Sequence, residues 1–143
     1  MNEIAASLLL AAPQLLSELF LALDARDYAA LTACFAPDGV WTRRGRDLVG
    51  AAAIADTLQE TRSPSLVTVH AVSTVAAALH APDRGAARFY LTVFRHDDGT
   101  VPAGPVPVPI PAVVGLCTAE FVRISDCWRI QRLKTGPYAF GAQ

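Results

Sequence analysis

The stretch LFLALDARDYAALTACFAPDGVW, residues 19–41, decides how the rest of the chain can fold. It opens inside an apolar stripe that repeats at the three- and four-residue spacing of a helix. That stripe consists of Leu15, Leu16, Leu19, Phe20 and Leu23. Asp27 is a favourable N-cap and predicts the start of a second helix. The apolar positions of this second helix are Tyr28, Leu31 and Phe35. The turn residues APDG, 36–39, then predict its end.

The segments on either side extend this helical first third. Upstream, Pro13 suits the first turn of the first helix, so residues 2–12 form either an extra helix or a kinked extension. Downstream, VWTRRGRDL predicts a short hairpin with Gly45 at its bend. Residues 50–61 return to a helical pattern, and RSPS ends it. The apolar face of this third helix contains Ala51, Ile54, Ala55 and Leu58.

From Leu66 onward the pattern is that of β-strands. Residues 66–80 and 86–96 are joined by the turn signal APDRG, and residues 113–124 and 127–136 are joined by SD. Helices followed by long strands in hairpins predict an α+β fold with one mostly antiparallel sheet packed against the helices. At this length, residues 1–143 are expected to form a single domain.

The connection between the two hairpins, residues 97–112, is rich in proline. Proline cannot donate to a strand ladder, so the segment is predicted to be a stiff hairpin arm that packs on the fold or on a partner subunit. A ligand for an SH3-type module is the alternative. The tail, residues 136–143, contains Tyr138 and Phe140, which makes a lid over a pocket conceivable.

Composition excludes several classes of function. A net charge of −1 and the lack of a basic run argue against nucleic-acid binding. Hydrophobic residues make up 52% and charged residues 17%, so apolar surface is expected to be covered by another subunit or to line a cavity. Three cysteines without C-x-x-C spacing suggest neither a disulfide framework nor a zinc site. SLLLAA lacks a basic flank and no apolar run looks long enough to span a bilayer, so a cytoplasmic protein without a membrane partner is expected.

Asp24 is the first candidate for chemistry. It lies at the C-terminal end of the first helix, where the helix dipole disfavours a negative charge. It also continues the row of Leu16 and Phe20 at four-residue spacing. Both effects predict a raised pKa and a proton acceptor near neutral pH. The alternative is a solvent-exposed carboxylate paired with Arg26 or with a neighbouring helix.

His70 is the second candidate, because it lies inside a strand whereas His80 and His96 lie beside turns. The two-residue period of a strand places it on one face with the following residues. They are Leu66, Thr68, Val72 and Thr74. A hydrogen-bonded core histidine is the alternative. Trp41, Tyr90 and Glu120 are weaker candidates, and each alone is better explained by packing or a surface ladder than by a site.

No nucleotide-binding, metalloprotease or nucleophile-elbow motif is present, and three scattered histidines make no recognisable metal site. The remaining chemistry is that of a carboxylate and an imidazole in an apolar pocket, with neither a cofactor nor a metal.

The order of several segments resembles the SnoaL-like branch of the nuclear transport factor 2-like superfamily. These segments are LFLALDARDYAALTACFAPDGVW, LVGAAAIADTL, VTVHAVSTVAAAL, ARFYLTVFR and CWRIQRL, and the resemblance runs from about Leu15 to Leu133. The resemblance implies a cone-shaped fold, with N-terminal helices packed in the concave face of a strongly curved sheet around a deep apolar pocket. It also implies a homodimer and a small apolar molecule as pocket ligand.

Within that superfamily the chain looks most like the scytalone dehydratase subgroup. The resemblance matches Asp24 to the subgroup's acid and His70 to its strand histidine, and it matches His96, one residue out of step, to a second histidine. The subgroup's tyrosine before the acid is Leu23 here, and its second tyrosine has no counterpart, so activity on the same substrate is not expected.

The resemblance implies a cofactor-independent lyase, isomerase or cyclase acting on a ring-containing or polyketide-like ketone. Asp24 would orient or deprotonate, and His70 would carry the proton. The expected pocket wall is Phe20, Trp41, Tyr90 and Phe121. One alternative is a non-catalytic binding or dimerisation module in which Asp24 and His70 only shape the pocket. A structural partner subunit of an oxygenase is another, which the short chain disfavours.

Overall fold

The computed structural model describes residues 1–107 and 110–141, which form three helices and a seven-stranded sheet. The helices are α1 (Glu3–Asp24), α2 (Tyr28–Ala33) and α3 (Ala51–Thr61). The strands are β1 (Phe35–Arg43), β2 (Arg46–Val49), β3 (Val67–Ala81), β4 (Arg84–His96), β5 (Val113–Ile124), β6 (Cys127–Thr135) and β7 (Phe140–Gly141).

The sheet has the order β2-β1-β6-β5-β4-β3, and β7 pairs with β5. Only the β1–β6 pair is parallel among the described strands, so the predicted α+β fold with a mostly antiparallel sheet is confirmed. The helix α1 packs chiefly against β3, on the concave side of the curved sheet. This arrangement leaves the other side of the central strands, where Tyr90 and Leu116 are half-exposed, without a covering helix.

Pro13 does not lie in the first turn, because α1 begins ten residues earlier, at Glu3. Of the two predicted alternatives, the residues before Pro13 extend the same helix and do not form a separate one. Asn2 caps it, and the Asn2 side chain accepts a hydrogen bond of 2.7 Å from the backbone N–H of Ala5. A proline inside a helix removes one backbone hydrogen bond. Here Leu8 and Ala12 before the proline and Leu16 after it are fully buried, and this packing holds the helix together across the gap.

By length and composition, α1 is also apolar enough to cross a membrane, contrary to the sequence expectation. The core helix of a soluble protein meets the same criterion, and the inward face of α1 is packed into the core. The described chain is accordingly a domain of the soluble α+β type. A cytoplasmic location stays a prediction.

The segment from Asp27 to Trp41 shows one prediction confirmed and one overturned. Asp27 caps α2 by accepting the backbone N–H of Ala30 at 3.1 Å. Phe35, however, begins β1 and does not extend α2. The carbonyl of Cys34 accepts a hydrogen bond of 2.8 Å from the N–H of Ile130, which draws the chain into the sheet. Residues 36–39 are therefore part of an irregular strand, where the pairing of β1 with β6 shifts register.

A bulge in β3 changes which residues face the helices. Thr74 has a positive φ of 55°, and the pairing with β4 shifts register between Ser73 and Ala76. An extra residue in a strand reverses the alternation beyond it and increases the bend. The simple two-residue period predicted that Thr74 shares the face of His70. Because of the bulge, Thr74 is exposed and does not share that face.

The proline-rich segment connects the adjacent strands β4 and β5 and contains no strand within 97–107 and 110–112. It is anchored at its end, where the N–H of Ala112 donates to the carbonyl of Val93 at 2.7 Å. Two residues of the predicted arm, Val108 and Pro109, lie outside the described residues, as do the last two residues of the tail.

Candidate functional site

A cavity of about 830 Å³ lies between the end of α1 and the concave face of the sheet. Cavities of this size accommodate small organic ligands. Its apolar wall is formed by side chains from α1 and from strands β1, β4 and β5. These are Phe20, Leu23, Trp41, Leu91, Val93 and Val113. The predicted wall residues Phe20 and Trp41 are therefore in place.

His70 lies on the cavity wall, with Asp24 directly behind it. Asp24 Oδ1 is 2.6 Å from His70 Nδ1, and Asp24 Oδ2 accepts the backbone N–H of His70 at 2.8 Å. The hydroxyl of Thr68 donates to Asp24 Oδ1 at 2.8 Å. The pair forms because the last residue of α1 lies against the start of β3. The structure thus brings together the two residues that the sequence singled out.

The alternative pairing of Asp24 with Arg26 does not form. The guanidinium of Arg26 instead donates to three backbone carbonyls in the loop that leads into β3. Those carbonyls belong to Arg62, Ser63 and Leu66, at distances of 2.6–3.2 Å. Arg26 thus fixes the end of α1 against the loop and leaves the carboxylate of Asp24 to His70 and Thr68.

The prediction of a raised pKa for Asp24 was wrong. Burial does raise the pKa of this carboxyl, but the hydrogen bonds and charge of His70, together with the hydroxyl of Thr68, lower it further than burial raises it. The net pKa lies below the ordinary value, so Asp24 is ionised at neutral pH. It is therefore an anion that accepts hydrogen bonds and not a proton acceptor near pH 7.

The imidazole of His70 is held by two further features. Its ring stacks on Phe20, with centroids 5.3 Å apart and an interplanar angle of 21°. Because an ionised carboxylate can only accept, Nδ1 carries a proton and the neutral ring has its lone pair on Nε2. The side chain is only 10% exposed, and it lines the cavity. This arrangement makes Nε2 the ring nitrogen available to a bound molecule.

Arg62 and Thr68 belong to the same network, and sequence reasoning missed both. Arg62 Nη2 donates to Thr68 Oγ1 at 2.6 Å, and both residues line the cavity. Thr68 could have been found, because it lies two residues before His70 on the same strand face. Arg62 carried no signal, because it follows α3 in a segment that indicated only the end of a helix.

Trp41 has a polar contact in addition to its place on the wall. Its indole Nε1 donates to Thr135 Oγ1 at 2.9 Å, and both side chains are buried. This bond ties β1 to β6 at the cavity.

Three predicted binding residues lie outside the cavity. Tyr90 is 48% exposed on the outer face of β4, because Phe89 and Leu91 on either side point inward. Phe121 points inward but is fully buried in the core, where other side chains cover it. His96 lies at the end of β4, with its Nε2 3.6 Å from Asp98. Glu120 is exposed as well.

The two buried cysteines, Cys34 and Cys117, form no second site in the described part of the chain. Burial raises the pKa of the Cys34 thiol to about 11, which disfavours the reactive thiolate. Cys117 is buried with a raised pKa as well. No cluster of three metal-binding side chains occurs within residues 1–107 and 110–141.

The tail passes over one side of the cavity. Pro137 and Tyr138 contribute to its lining, and β7 then pairs with β5. The backbone of the tail approaches β5 closely at Gly115, where an added Cβ would lie 2.8 Å from Tyr138 Cα and 3.0 Å from Ala139 N. Since both contacts are with backbone, only a residue without a side chain permits this approach.

We therefore expect Gly115→Ala to release the tail from β5. Amide hydrogen exchange at residues 138–141 should become faster, while β5 and β6 keep their protection. The matched control is Gly104→Ala, where an added Cβ meets nothing within 4 Å. Unchanged protection of the tail in Gly115→Ala would show that this contact does not hold it.

Comparisons with known proteins agree with this fold. The family model of the SnoaL-like domain matches residues 7–134. The hexachlorocyclohexane dehydrochlorinase LinA-type3 from Novosphingobium barchaimii LL02 is 15% identical, with a TM-score of 0.76 over 94% of this chain and 88% of that one. ActVI-ORFA from Streptomyces coelicolor is 17% identical, with a TM-score of 0.73 over 93% and 98% of the two chains.

An NTF2-like protein with a cystatin-like fold from Novosphingobium aromaticivorans is 23% identical, with a TM-score of 0.66 over 85% of this chain and 75% of that one. No curated protein is significantly similar in sequence. At these identities the solved structures establish the fold. The stretch that suggested the resemblance, from about Leu15 to Leu133, lies entirely inside the matched range.

Proposed function

The chain belongs to the SnoaL-like family, and from this premise we propose that it is a cofactor-independent lyase, isomerase or cyclase. Its substrate is a small ring-containing or polyketide-like molecule. The observation that carries the proposal is the pair of Asp24 and His70 at the wall of a largely apolar cavity. A neutral imidazole backed by an ionised carboxylate is a general base suited to neutral pH.

In the proposed reaction, His70 Nε2 accepts a proton from a carbon next to a carbonyl group. The C–H electron pair moves into the carbonyl to form an enolate, and the imidazole becomes an imidazolium. Asp24 stabilises that cation and keeps the ring in its orientation. In an isomerase the proton then returns to another carbon. In a lyase the enolate re-forms the carbonyl, a C=C bond forms as the bond between the β-carbon and the leaving group breaks, and the proton goes to the departing group. In a cyclase the enolate carbon attacks a second carbonyl and the proton goes to the new hydroxyl.

The apolar wall contributes to this role by limiting water around the imidazole. A ring packed against Phe20 and Leu91 would displace solvent from the surroundings of His70. A positioned acid–base group contributes about 10²–10⁴ in rate, which suits an activated proton next to a carbonyl.

A second candidate function is a non-catalytic module that holds a small apolar molecule. One observation favours it: Asp24 does not line the cavity, and its carboxylate is occupied by His70 and Thr68. In that case the pair would fix the shape of the pocket and perform no chemistry. The two candidates differ in whether a bound ketone loses a proton.

Proton exchange with solvent tests the proposal without knowledge of the product. We expect the protein to accelerate deuterium incorporation next to the carbonyl of bicyclic aromatic ketones such as β-tetralone, followed by NMR in D₂O. The rate should exceed that of an equal concentration of free imidazole by at least about 10²-fold. Ketones that bind the cavity without any accelerated exchange would favour the non-catalytic module.

A homodimer belongs to the same proposal. The uncovered face of the sheet carries partly exposed apolar side chains, among them Val69, Tyr90 and Leu116. Tyr90 and Leu116 are cross-strand neighbours, so they form a contiguous patch on β4 and β5. A second copy packed on this face would remove the patch from water.

A further inference from the structure

The charges of this chain are unevenly distributed around the cavity. The sequence contains 12 basic and 13 acidic residues, so the overall balance is near neutral. The cavity lining nevertheless includes five cationic side chains and, among the described residues, no carboxylate. The five are Arg43, Arg44, Arg62, Arg95 and Lys134. A cavity with one sign of charge attracts ligands of the opposite sign.

No ion pair joins any of these five side chains to a carboxylate within the described parts of the chain. Other basic residues have such partners: Arg84 pairs with Asp83, and Arg132 pairs with Asp47. Arg44, Arg95 and Lys134 are exposed members of the cavity lining, so their charges lie where solvent reaches the cavity.

Arg62 is the most informative of the five, because it is only 8% exposed. Its Nη2 donates to Thr68, but its Nε is buried and has no hydrogen-bond partner in the described chain. A buried guanidinium with an unsatisfied N–H is costly unless an acceptor is supplied. The residue also lines the cavity, so a bound anion would compensate this buried positive charge.

Arg43 also has no carboxylate partner within the described residues. Its guanidinium carbon lies 5.3 Å from the centre of the Trp41 ring. Burial lowers the pKa of Arg43, and the nearby charges of Arg44, Arg62 and Arg95 lower it further. Since arginine stays protonated in proteins, this shift expresses first the cost of burying the charge and then the repulsion from the neighbouring guanidinium groups. An anion placed between them would relieve it.

We propose that the molecule bound by this site carries a carboxylate on an apolar ring system, and that Arg62, Arg43 and Arg95 recognise the carboxylate. Planar guanidinium groups match the two oxygens of a carboxylate. The ring would pack against the apolar wall, near His70. The inference rests on the site proposed above and specifies its substrate class.

A pair of probes that differ only in charge tests this inference by isothermal titration calorimetry. We expect naphthoate to bind at least about tenfold more tightly than naphthamide, which has the same ring system and no charge. Arg62→Gln and Arg95→Gln should each reduce this preference severalfold. Arg95 is exposed, so its replacement tests the inference even where Arg62→Gln perturbs the Thr68 contact.

The matched control is Arg88→Gln, which removes the same charge from the same strand as Arg95 but at an exposed position outside the cavity. It should leave the preference unchanged. Equal affinity for the two probes, no detectable binding of naphthoate, or a preference that survives both cavity variants would overturn the inference. Because binding is measured without turnover, failure of the ketone exchange assay would not alter this result.

Discussion

Replacing His70 by alanine is expected to reduce the rate of solvent exchange at the ketone by about 10²–10⁴ while leaving the fold intact. The substitution removes the only imidazole that lines the cavity within the described residues. The other wall residues remain, so a ketone should still bind. Exchange is followed by NMR in D₂O, and folding by circular dichroism.

The matched control is His80→Ala, which changes the same residue type on the same strand at an exposed position. The His80→Ala variant should catalyse solvent exchange at the ketone at the same rate as the parent protein. The space left in His70→Ala adjoins Phe20, so added imidazole is expected to restore part of the activity. A His70→Ala variant that is as active as the parent protein would show that His70 is not the proton acceptor.

Asp24→Asn is expected to reduce exchange by a similar factor, about 10²–10⁴, without removing His70 from the cavity. The asparagine carbonyl can still accept the backbone N–H of His70, which places its amide against Nδ1. An amide donates where the carboxylate accepted, so the ring proton moves to Nε2. With Nε2 protonated, the neutral imidazole has no lone pair facing the ligand. The ¹⁵N chemical shifts of the His70 ring should report this change of tautomer, which a merely structural role would not produce.

The same variant should also lower the free energy of unfolding by about 1–3 kcal/mol at neutral pH, because it weakens charge-assisted hydrogen bonds. The folded-state pKa of Asp24 is lowered, so its stabilising contribution is complete above the ordinary aspartate pKa of about 3.9 and is lost as the pH falls through the folded pKa. The stability difference between parent and variant should therefore be present in full above about pH 4 and narrow as the pH falls below it.

Asp27→Asn is the control for this substitution, three residues along the chain. Asparagine caps helices about as well as aspartate, so this variant should match the parent in exchange rate and nearly in stability. Urea unfolding at several pH values measures both variants. A stability difference for Asp24→Asn that does not change with pH would contradict the lowered pKa of Asp24.

Much of the fold could be predicted because its signals are local. The cap at Asp27 and the alternation around His70 depend on residues close in sequence, and both recur in the structure. The misplaced elements depend on contacts between distant residues. Phe35 joins β1 because β6 draws the chain into the sheet, and α1 continues through Pro13 because its apolar face is packed on both sides of the proline.

The candidate site was predictable only in part, for a related reason. The alternation along β4 places Tyr90 on the outward face, opposite Phe89 and Leu91, so its expected place in the pocket wall was wrong. In β3 the alternation holds only up to the bulge at Thr74. Sequence spacing cannot tell whether an inward side chain lines a cavity, as Trp41 does, or lies in the packed core, as Phe121 does. Arg62 gave no signal, because its importance comes from a burial that local sequence does not encode.

Asp24 shows most clearly what the sequence determined and what the tertiary structure determined. The sequence by itself placed a carboxylate at the end of an amphipathic helix and a histidine inside a strand, because both positions follow from short-range periodicity. Only the tertiary structure decided the direction of the pKa shift. The helix end and burial both favour a neutral carboxyl, but Thr68 and His70 arrive from β3 with three hydrogen-bond donors. Those donors outweigh the cost of burying the charge, and they exist only when α1 and β3 are packed together.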